Sequence, residues 1–420
     1  MNDLLGGALS RLDEAARHVA VDPEVLEKLK YPKETLSVCL SIRMDDGSRR
    51  SFPAWRCRYD DTRGPTKGGI RFHPASTMEE VTTLAFWMTF KCAVMNLPYG
   101  GGKGAVRVDP HSLSKSELER LSRAYVQAFA GMIGPDRDIP APDVYTNAMI
   151  MGWMADEYSS IVRQPSPAVI TGKPLALGGS VGRDDATARG GFYLLKHLER
   201  DLGLAGSARR AVIQGYGNAG LHIARLLHAD GYRIVGISDS RGAIADPDGL
   251  DPEAVQAAKA SHGSVRAYAA EGRARIVGED ELLGLDCEVL VPAALEDQIH
   301  ADNAGRITAR VVLELANGPI TPEADRILGS KGVTVLPDIL ANAGGVTVSY
   351  FEWVQNRQGY YWSLKEIHER LRTIMETEGR RVADLSAGKG VSMRTAAYAH
   401  ALERLSGAIA AHGTQPYFAG

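Results

Sequence analysis

The chain has 420 residues, of which 44% are hydrophobic and 24% are charged, and its formal net charge is −3. This length exceeds the size at which a single hydrophobic core stops growing, so two domains are expected. A small negative charge leaves no basic surplus to neutralise phosphates, which argues against nucleic-acid binding as the main task.

The amino terminus and the cysteines indicate where the protein works. Residues 1–20 do not combine a basic stretch with an apolar one, so no signal peptide is recognised, and no apolar run is long enough to span a bilayer. Four well-separated cysteines without CxxC or histidine partners predict reduced thiols and no metal site. We therefore expect a soluble, cytoplasmic protein that does not bind membranes.

The first part of the chain predicts a sheet followed by helices. Residues 36–42 and 44–61 read as two strands of a hairpin around the turn signal Asp45-Asp46-Gly47. Capping-box patterns begin helices at Thr77 and at Ser114. Lys91 lies on the apolar face of the first of these helices. Prolines at positions 135, 140 and 142 predict an irregular loop before Asp143.

From about residue 187 the sequence alternates between short runs rich in β-branched residues and segments with helical periodicity. Such alternation predicts a parallel, doubly wound sheet. The expected strands are residues 211–214, 233–238, 288–291, 311–314 and 333–336. After Gly345 the chain is helical, with a capping box at Ser363 and a closing helix over 394–411. We expect an α/β protein with a dinucleotide-binding domain over 186–345, and a first domain over 1–185 on which residues 346–420 pack.

The segment Gly215-Tyr216-Gly217-Asn218-Ala219-Gly220 follows a strand, opens a helix and precedes a second strand that ends in Asp239. This order is the context that a Rossmann dinucleotide fingerprint requires, although a glycine-rich turn without a ligand is the alternative. Gly215 permits the tight turn, Gly217 lets the backbone approach a pyrophosphate, and Gly220 lets helix and strand pack closely. Asp239 favours NAD, whereas Arg241 leaves NADP open.

Three lysines stand in contexts that a surface lysine does not need. Lys67 precedes paired glycines, Lys91 lies on an apolar helix face, and Lys103 is flanked by four glycines that remove side chains and allow unusual φ values. Any one of them alone reads as surface charge. Together they predict a cleft for an anionic substrate, in which a lysine of lowered pKa acts as general base. Asp143 is the candidate for the acidic residue beside this base; the alternative is that it serves only as a turn residue.

These residues resemble the glutamate dehydrogenase family of amino-acid dehydrogenases, from about Pro32 to the C-terminus. The resemblance rests on residues 63–74, 87–94, 97–104, 138–143, 171–174, 186–190, the glycine fingerprint, and 341–346 with Ser349. It implies that Lys67 binds the side-chain carboxylate of the substrate and Lys91 its α-carboxylate. Met88, which replaces a glutamine of some members, Val346 and Ser349 complete the implied substrate site.

The resemblance also implies a mechanism. Hydride passes from the substrate Cα to the nicotinamide, water attacks the resulting iminium with Lys103 as general base, and Asp143 shuttles protons to and from ammonia. Relatives that act on leucine, phenylalanine or valine have an apolar residue where Lys67 stands, because a cation facing an alkyl chain is unfavourable. Lys67 therefore favours L-glutamate and 2-oxoglutarate as substrates. Alternatively, Ser349 is an ordinary serine on a helix face, with no role in substrate binding.

For the cofactor, NAD with NADP as a possibility, the implied contacts extend beyond the three glycines of the fingerprint. They are Thr187, Asn218, Asp239, Ser240, Asn317 and Asn342. Asn317 also reads as a turn residue. The resemblance implies a homohexamer assembled through the first domain, which makes that domain both substrate-binding and oligomerising. Two alternatives remain: a leucine, phenylalanine or valine dehydrogenase, and a catalytically silent regulatory homologue.

Overall fold

The computed structural model describes residues 4–206, 208–270, 272 and 274–419. The chain divides into two compact units. The first unit comprises Met1–Arg183, Val346–His368 and Tyr398–Gly420, and the second comprises Asp184–Gly345 and Glu369–Ala397. This division differs from the expected one, which assigned the whole of residues 346–420 to the first domain. Glu369–Ala397 belongs to the second unit, in which Arg394 is ion-paired with Glu314 and Asp325.

The first unit contains a five-stranded sheet with the order β1-β2-β4-β3-β5. Its strands are β1 (Glu34–Arg43), β2 (Arg49–Asp60), β3 (Thr66–Phe72), β4 (Gly100–Val106) and β5 (Asp138–Pro142). β1 and β2 form the predicted antiparallel hairpin, and β2 is also antiparallel to β4. β3 runs parallel to both β4 and β5, so the ends of these three strands meet at one edge.

β5 corrects the prediction that prolines forbid regular structure before Asp143. The strand contains Pro140 and Pro142 and pairs with β3 from Asp138 to Pro142. It lies at the edge of the sheet, where one side of the backbone needs no ladder partner, and such a position tolerates the missing N–H of proline. Lys67 and the paired glycines that follow it lie within strand β3.

The helices before the second unit are α1 (Leu4–Ala16), α2 (Pro23–Leu29), α3 (Met78–Val94), α4 (Lys115–Phe129) and α5 (Ala148–Val162). Ser114 and Glu117 form the predicted capping box of α4. At α3 only half of the predicted box forms: Thr77 accepts from the backbone of Glu80, but the Glu80 carboxylate pairs with Arg71 instead. A core of buried side chains joins the sheet to α4 and α5, with Phe72, Leu121 and Met154 among its members.

The second unit contains a seven-stranded sheet with the order β12-β11-β10-β6-β7-β8-β9. Its strands are β6 (Arg210–Gln214), β7 (Arg233–Asp239), β8 (Gly242–Leu250), β9 (Arg275–Val277), β10 (Val289–Pro292), β11 (Val311–Leu313) and β12 (Thr334–Leu336). All five predicted strands are present and parallel. β8 and β9 are additional and antiparallel, and they were missed because β8 contains the turn-like sequence Asp246-Pro247-Asp248-Gly249.

Helices cover this sheet and continue to the C-terminus. Those of the central region are α6 (Ala186–Leu198), α7 (Asn218–Ala229), α8 (Pro252–His262), α9 (Arg266–Ala270), α10 (Glu279–Leu283), α11 (Ala301–Ala304), α12 (Pro322–Ser330) and α13 (Asp338–Ala341). The last four are α14 (Gly344–Gln358), α15 (Leu364–Lys389), α16 (Met393–Ala410) and α17 (Gln415–Ala419). Ser363 and Glu366 form the predicted capping box of α15. Among the described residues, none of the helices combines the length and apolarity needed to cross a bilayer.

Candidate active site

Lys67 and Lys103 lie on neighbouring strands of the first sheet. The register of β3 and β4 pairs Lys67 with Gly101, two residues before Lys103. Because side chains alternate between the two faces of a strand, both lysines lie on the same face. α3, which carries Lys91, packs against this face so closely that a Cβ on Gly101 would lie 2.2 Å from Thr89 Oγ1. The fold thus places the three lysines around one sheet face and one helix.

The glycines beside Lys103 serve close packing. None of Gly100, Gly101, Gly102 and Gly104 has a positive φ, so the expectation of unusual backbone angles is wrong. A Cβ on Gly100 would lie 1.7 Å from the carbonyl oxygen of Asp60, and one on Gly104 would lie 2.2 Å from the hydroxyl of Tyr125. The glycines let β4 fit between its neighbours, which fixes the backbone from which Lys103 projects.

Lys103 and Asp143 form a direct ion pair between Nζ and Oδ2. The other carboxylate oxygen of Asp143 accepts from Arg71 Nε at 3.0 Å and from the backbone of Val144 at 2.9 Å. Burial acts to raise the pKa of Asp143, but attraction by Lys103 and Arg71 outweighs it and holds this pKa well below its usual range. Asp143 is therefore an ionised acceptor, and Arg71, which the sequence did not single out, is its second cationic neighbour.

Lys67 is a buried cation with no carboxylate at ion-pair distance among the described residues. It is 1% exposed, and its Nζ donates to the carbonyl oxygens of Ile139 at 3.2 Å and Pro140 at 3.4 Å. Burial lowers the pKa of Lys67 well below its usual value, and the nearby cations of Arg183 and Arg56 lower it further. A cation in such surroundings is suited to bind an anion.

Lys91 and Met88 lie on α3 as predicted. Lys91 is buried to 9% exposure, and Met88 is half-buried. Lys67 and Lys91 both lie near enough to Cys92 to act on its thiol: burial raises the pKa of Cys92 to about 12, and the two lysines oppose that rise. α3 is buried around most of its circumference, because Phe86 and Phe90 are fully buried in addition to the predicted face.

Ser349 is held in a buried polar network on α14. Its Oγ accepts from Arg183 Nη1 at 2.7 Å. The neighbouring carboxylate of Glu352 accepts from Lys173 Nζ at 2.7 Å and from the backbone of Gly172 at 2.8 Å. Val346, at the start of the same helix, is half-buried. Arg183 and Glu352 were missed because nothing in their local sequence separates them from ordinary surface charges.

A fully buried pair supports the strands beneath these groups. Arg56 on β2 donates through Nε and Nη2 to the two oxygens of Asp138 on β5, each at 2.6 Å. Both side chains are 0% exposed. Thr66 on β3 donates to the same carboxylate at 2.7 Å. The pair therefore connects the edge strand β5 with β2, on the other side of β3 and β4, although only Asp138 was noted in the sequence, as part of a motif.

In the second unit the glycine fingerprint has the backbone that its sequence requires. Gly215 adopts φ +92°, as a tight turn needs. A Cβ on Gly220 would lie 1.8 Å from the carbonyl oxygen of Gly215, whereas one on Gly217 would meet nothing within 4 Å. Gly217 is the N-cap of α7 and offers no side-chain cap. Free N–H groups at an open helix start are an anion site, and this arrangement fits a pyrophosphate.

Asp239 ends β7 as predicted, but its carboxylate already has protein partners. It accepts from the backbone of Val265 at 2.8 Å, from the backbone of Arg241 at 2.9 Å and from Ser264 Oγ at 3.2 Å. The side chain is 5% exposed, whereas Ser240 and Arg241 beside it are exposed. The residues present therefore do not separate a ribose 2′-hydroxyl from a 2′-phosphate, and both NAD and NADP fit.

The remaining predicted cofactor residues lie in two places. Thr187 is in the first turn of α6, and Asn218 opens α7 and donates to the carbonyl oxygen of Asp184 at 2.6 Å. Asn342 Nδ2 donates to Asn317 Oδ1 at 3.0 Å. Asn342 Oδ1 is buried and has no hydrogen-bond partner among the described residues. An unsatisfied buried acceptor is costly, and it marks this loop as fit to receive a ligand donor.

Family models match both parts of the chain. The model described as Glu/Leu/Phe/Val dehydrogenase, dimerisation domain, matches residues 32–160, and that described as Glutamate/Leucine/Phenylalanine/Valine dehydrogenase matches residues 178–413. The chain belongs to the Glu/Leu/Phe/Val dehydrogenase family. The members of this family are amino-acid dehydrogenases, so the chain is assigned to the oxidoreductases.

Individual relatives of this family match over nearly the whole chain. An NADP-specific glutamate dehydrogenase of Synechocystis sp. is 52% identical over 99% of this chain and 98% of its own. An NAD-specific glutamate dehydrogenase of Staphylococcus aureus is 46% identical over 98% and 99%. Among solved structures, the hetero-hexameric glutamate dehydrogenase of Thermus thermophilus in its leucine-bound form has a TM-score of 0.93 at 39% identity, covering 99% of each chain.

Proposed function

We propose that the protein is a glutamate dehydrogenase, which interconverts L-glutamate with 2-oxoglutarate and ammonia and uses NAD or NADP. The observation that carries this proposal is Lys67, a lysine 1% exposed whose hydrogen-bond partners, within the described part of the chain, are two carbonyl oxygens. A side-chain carboxylate of the substrate supplies the anion that this cation lacks. An alkyl or phenyl side chain there would leave the buried cation uncompensated, which disfavours leucine, phenylalanine and valine.

The remaining roles follow from the contacts of each side chain. Lys91 binds the α-carboxylate, with Met88 and Val346 beside the substrate. Ser349, held by Arg183 at 2.7 Å, offers a hydroxyl to the side-chain carboxylate. Once hydride has left the substrate Cα, Lys103 holds the water that attacks this carbon of the resulting iminium and takes a proton from that water, while Asp143 shuttles protons to and from the departing ammonia. Positioning and charge supply most of the catalysis.

The dinucleotide supplies the hydride acceptor when it is bound. Gly215, Gly217 and Gly220 admit its pyrophosphate to the open start of α7, which has no side-chain cap. The further contacts are those of Thr187, Asn218, Asp239, Ser240, Asn317 and Asn342. Specific relatives of similar identity are named for each cofactor, NADP at 52% and NAD at 46%, so either nucleotide is a candidate.

Assembly and location belong to the same proposal. We propose a homohexamer in the cytoplasm, built through the first unit, with nucleotide binding by the second unit. Two findings support this assembly. The family model that matches residues 32–160 is described as a dimerisation domain, and the similar Thermus thermophilus structure is a hexamer, although a hetero-hexameric one. Sedimentation of the purified single chain measures its subunit number, and a stable monomer would contradict the proposal.

Steady-state assays with NAD and NADP test the reaction. Glutamate should reduce the nicotinamide, and leucine, phenylalanine and valine should do so weakly. Lys67→Leu should abolish glutamate turnover far more than it harms turnover of apolar substrates. Lys33→Leu is a matched control, because Lys33 is an exposed lysine of the same unit that pairs with Asp61. Preference for an apolar amino acid would contradict the proposal, and nucleotide binding without turnover of any amino acid would favour a silent homologue.

A further inference from the structure

Three carboxylates from separate segments of the second unit surround the guanidinium of Arg394. Nη1 and Nη2 each donate to Glu314 at 2.8 Å, and Nε donates to Asp325 at 2.8 Å. Nη1 also lies 3.5 Å from Asp338 Oδ1. The side chains of Arg394, Glu314 and Asp338 are 5%, 0% and 4% exposed. A planar fork that satisfies buried carboxylates in this way is a property of arginine that lysine does not share.

Two of these carboxylates fix neighbouring backbone segments to each other. Glu314, directly after β11, accepts from the backbone of Asp338 at 2.7 Å. Asp338 accepts from the backbone of Gly318 through Oδ2 at 2.9 Å, and from that of Ile339 through Oδ1 at 2.8 Å. Each carboxylate oxygen of Asp338 thus accepts a hydrogen bond from a backbone N–H. These hydrogen bonds fix the position of the loop after β11 relative to the start of α13.

The segments held in this relation carry Asn317 and Asn342. Asn317 directly precedes Gly318, and Asn342 is the C-cap of α13. Asn342 Nδ2 donates to Asn317 Oδ1 at 3.0 Å and to the carbonyl oxygen of Ala316 at 3.1 Å, while its buried Oδ1 has no hydrogen-bond partner in the part of the chain that the structure describes. The orientation of that free acceptor depends on how the two segments are placed.

We propose that Arg394 is a positioning residue for the nucleotide site, which acts through Glu314 and Asp338 to hold Asn317 and Asn342 in their binding geometry. The inference rests on the proposed function, because it takes the two asparagines to be cofactor contacts. It gives the segment Glu369–Ala397, which belongs to the second unit, a part in binding the cofactor.

Nucleotide binding by the full-length protein tests the inference, with NADH and NADPH titrated by their fluorescence. Arg394→Lys keeps the charge but loses the two-pronged contact, and Asp338→Asn leaves one oxygen for two backbone donors. Each should raise the dissociation constant for the nucleotide about tenfold, a typical effect of losing a charge-assisted contact. The KM for glutamate at saturating nucleotide should stay within about twofold, since the substrate residues belong to the first unit.

Asp325→Asn is the matched control. Asp325 accepts only from Arg394 among the described residues and holds no loop backbone through its carboxylate. This variant should lower the melting temperature but leave the nucleotide dissociation constant unchanged. Equal weakening by Asp325→Asn, or wild-type affinity in both Arg394→Lys and Asp338→Asn, would overturn the positioning role. Absence of nucleotide binding by the wild type would instead refute the proposed function and this inference with it.

Discussion

Arg71 Nε donates to Asp143 Oδ1 at 3.0 Å, on the carboxylate whose other oxygen contacts Lys103. Asp143 therefore has a cation on each side, and the two cations hold its pKa well below the usual range against the effect of burial. In the proposed reaction Asp143 exchanges protons with ammonia, and its affinity for a proton depends on both neighbours. Lys103 contributes most to this lowering of the pKa, and Arg71 adds to it.

Removing Arg71 should move the pH profile of the reaction. Arg71→Gln takes away one of the two cations, so the pKa of Asp143 should rise, and the acid limb of kcat should shift toward neutral pH. Arg58→Gln is the control, because Arg58 is an ion-paired arginine of the same sheet whose partners are Glu34 and Asp61. An acid limb that coincides with that of the wild type would show that Arg71 does not tune Asp143.

Lys67 should take up a proton when a dicarboxylate binds. Burial and neighbouring cations lower its pKa in the empty protein, so part of the population is neutral at sufficiently high pH. A carboxylate placed beside Nζ favours the charged form and raises the pKa again, so binding draws a proton from the buffer. Calorimetry of glutarate binding in two buffers of different ionisation enthalpy measures this uptake. Butyrate, which lacks the second carboxylate, is the control, and proton release with glutarate would refute the prediction.

The local sequence was sufficient to predict a structural feature where that feature depends on residues close together in the chain. The capping boxes at Ser114 and Ser363, the hairpin of β1 and β2, and the tight turn at Gly215 all depend on neighbours within a few positions. β5 was missed because its prolines are tolerated only at a sheet edge, and edge position is a property of the whole topology.

Partners that lie far away along the chain could not be read in the same way. Arg183 meets Ser349 across 166 positions, and Arg394 meets Glu314 across 80. No periodicity or spacing connects such pairs, because they meet only when separate segments fold together. The glycines beside Lys103 were recognised as special, but for the wrong reason: the constraint is the contact of Gly101 with Thr89, and φ is ordinary.

That contact predicts a stability effect. Gly101→Ala would put a Cβ 2.2 Å from Thr89 Oγ1 and 2.3 Å from the carbonyl oxygen of Ala85, so α3 or β4 must move. Overpacking of this kind costs about 1–3 kcal/mol of unfolding free energy, and displacement of β4 should also lower kcat through Lys103. Gly131→Ala is the control, since a Cβ there meets nothing within 4 Å. Urea denaturation that gives equal stabilities for the two variants would contradict this prediction.

Glu314 should make the second unit less stable as pH rises toward neutrality. Burial raises the pKa of Glu314 from 4.5 to about 7, with Asp338 and Asp325 adding to the rise and Arg394 opposing it. The folded state therefore binds the proton more tightly than the unfolded state does. The resulting stabilisation is fully present below the unfolded pKa of 4.5 and is lost as pH rises through about 7.

Glu314→Gln removes this titration but keeps a polar side chain beside Arg394. The unfolding free energy of the wild type relative to Glu314→Gln should therefore fall by up to about 3 kcal/mol between the two pKa values, and it should be constant at higher pH. Denaturant titrations at a series of pH values measure the difference directly. Glu281→Gln, at an exposed ion pair with Arg275, should show almost no such trend because solvent screens that pair. A wild-type advantage that grew with pH would mean that Glu314 is ionised throughout, and that Arg394 overcomes the cost of burying it.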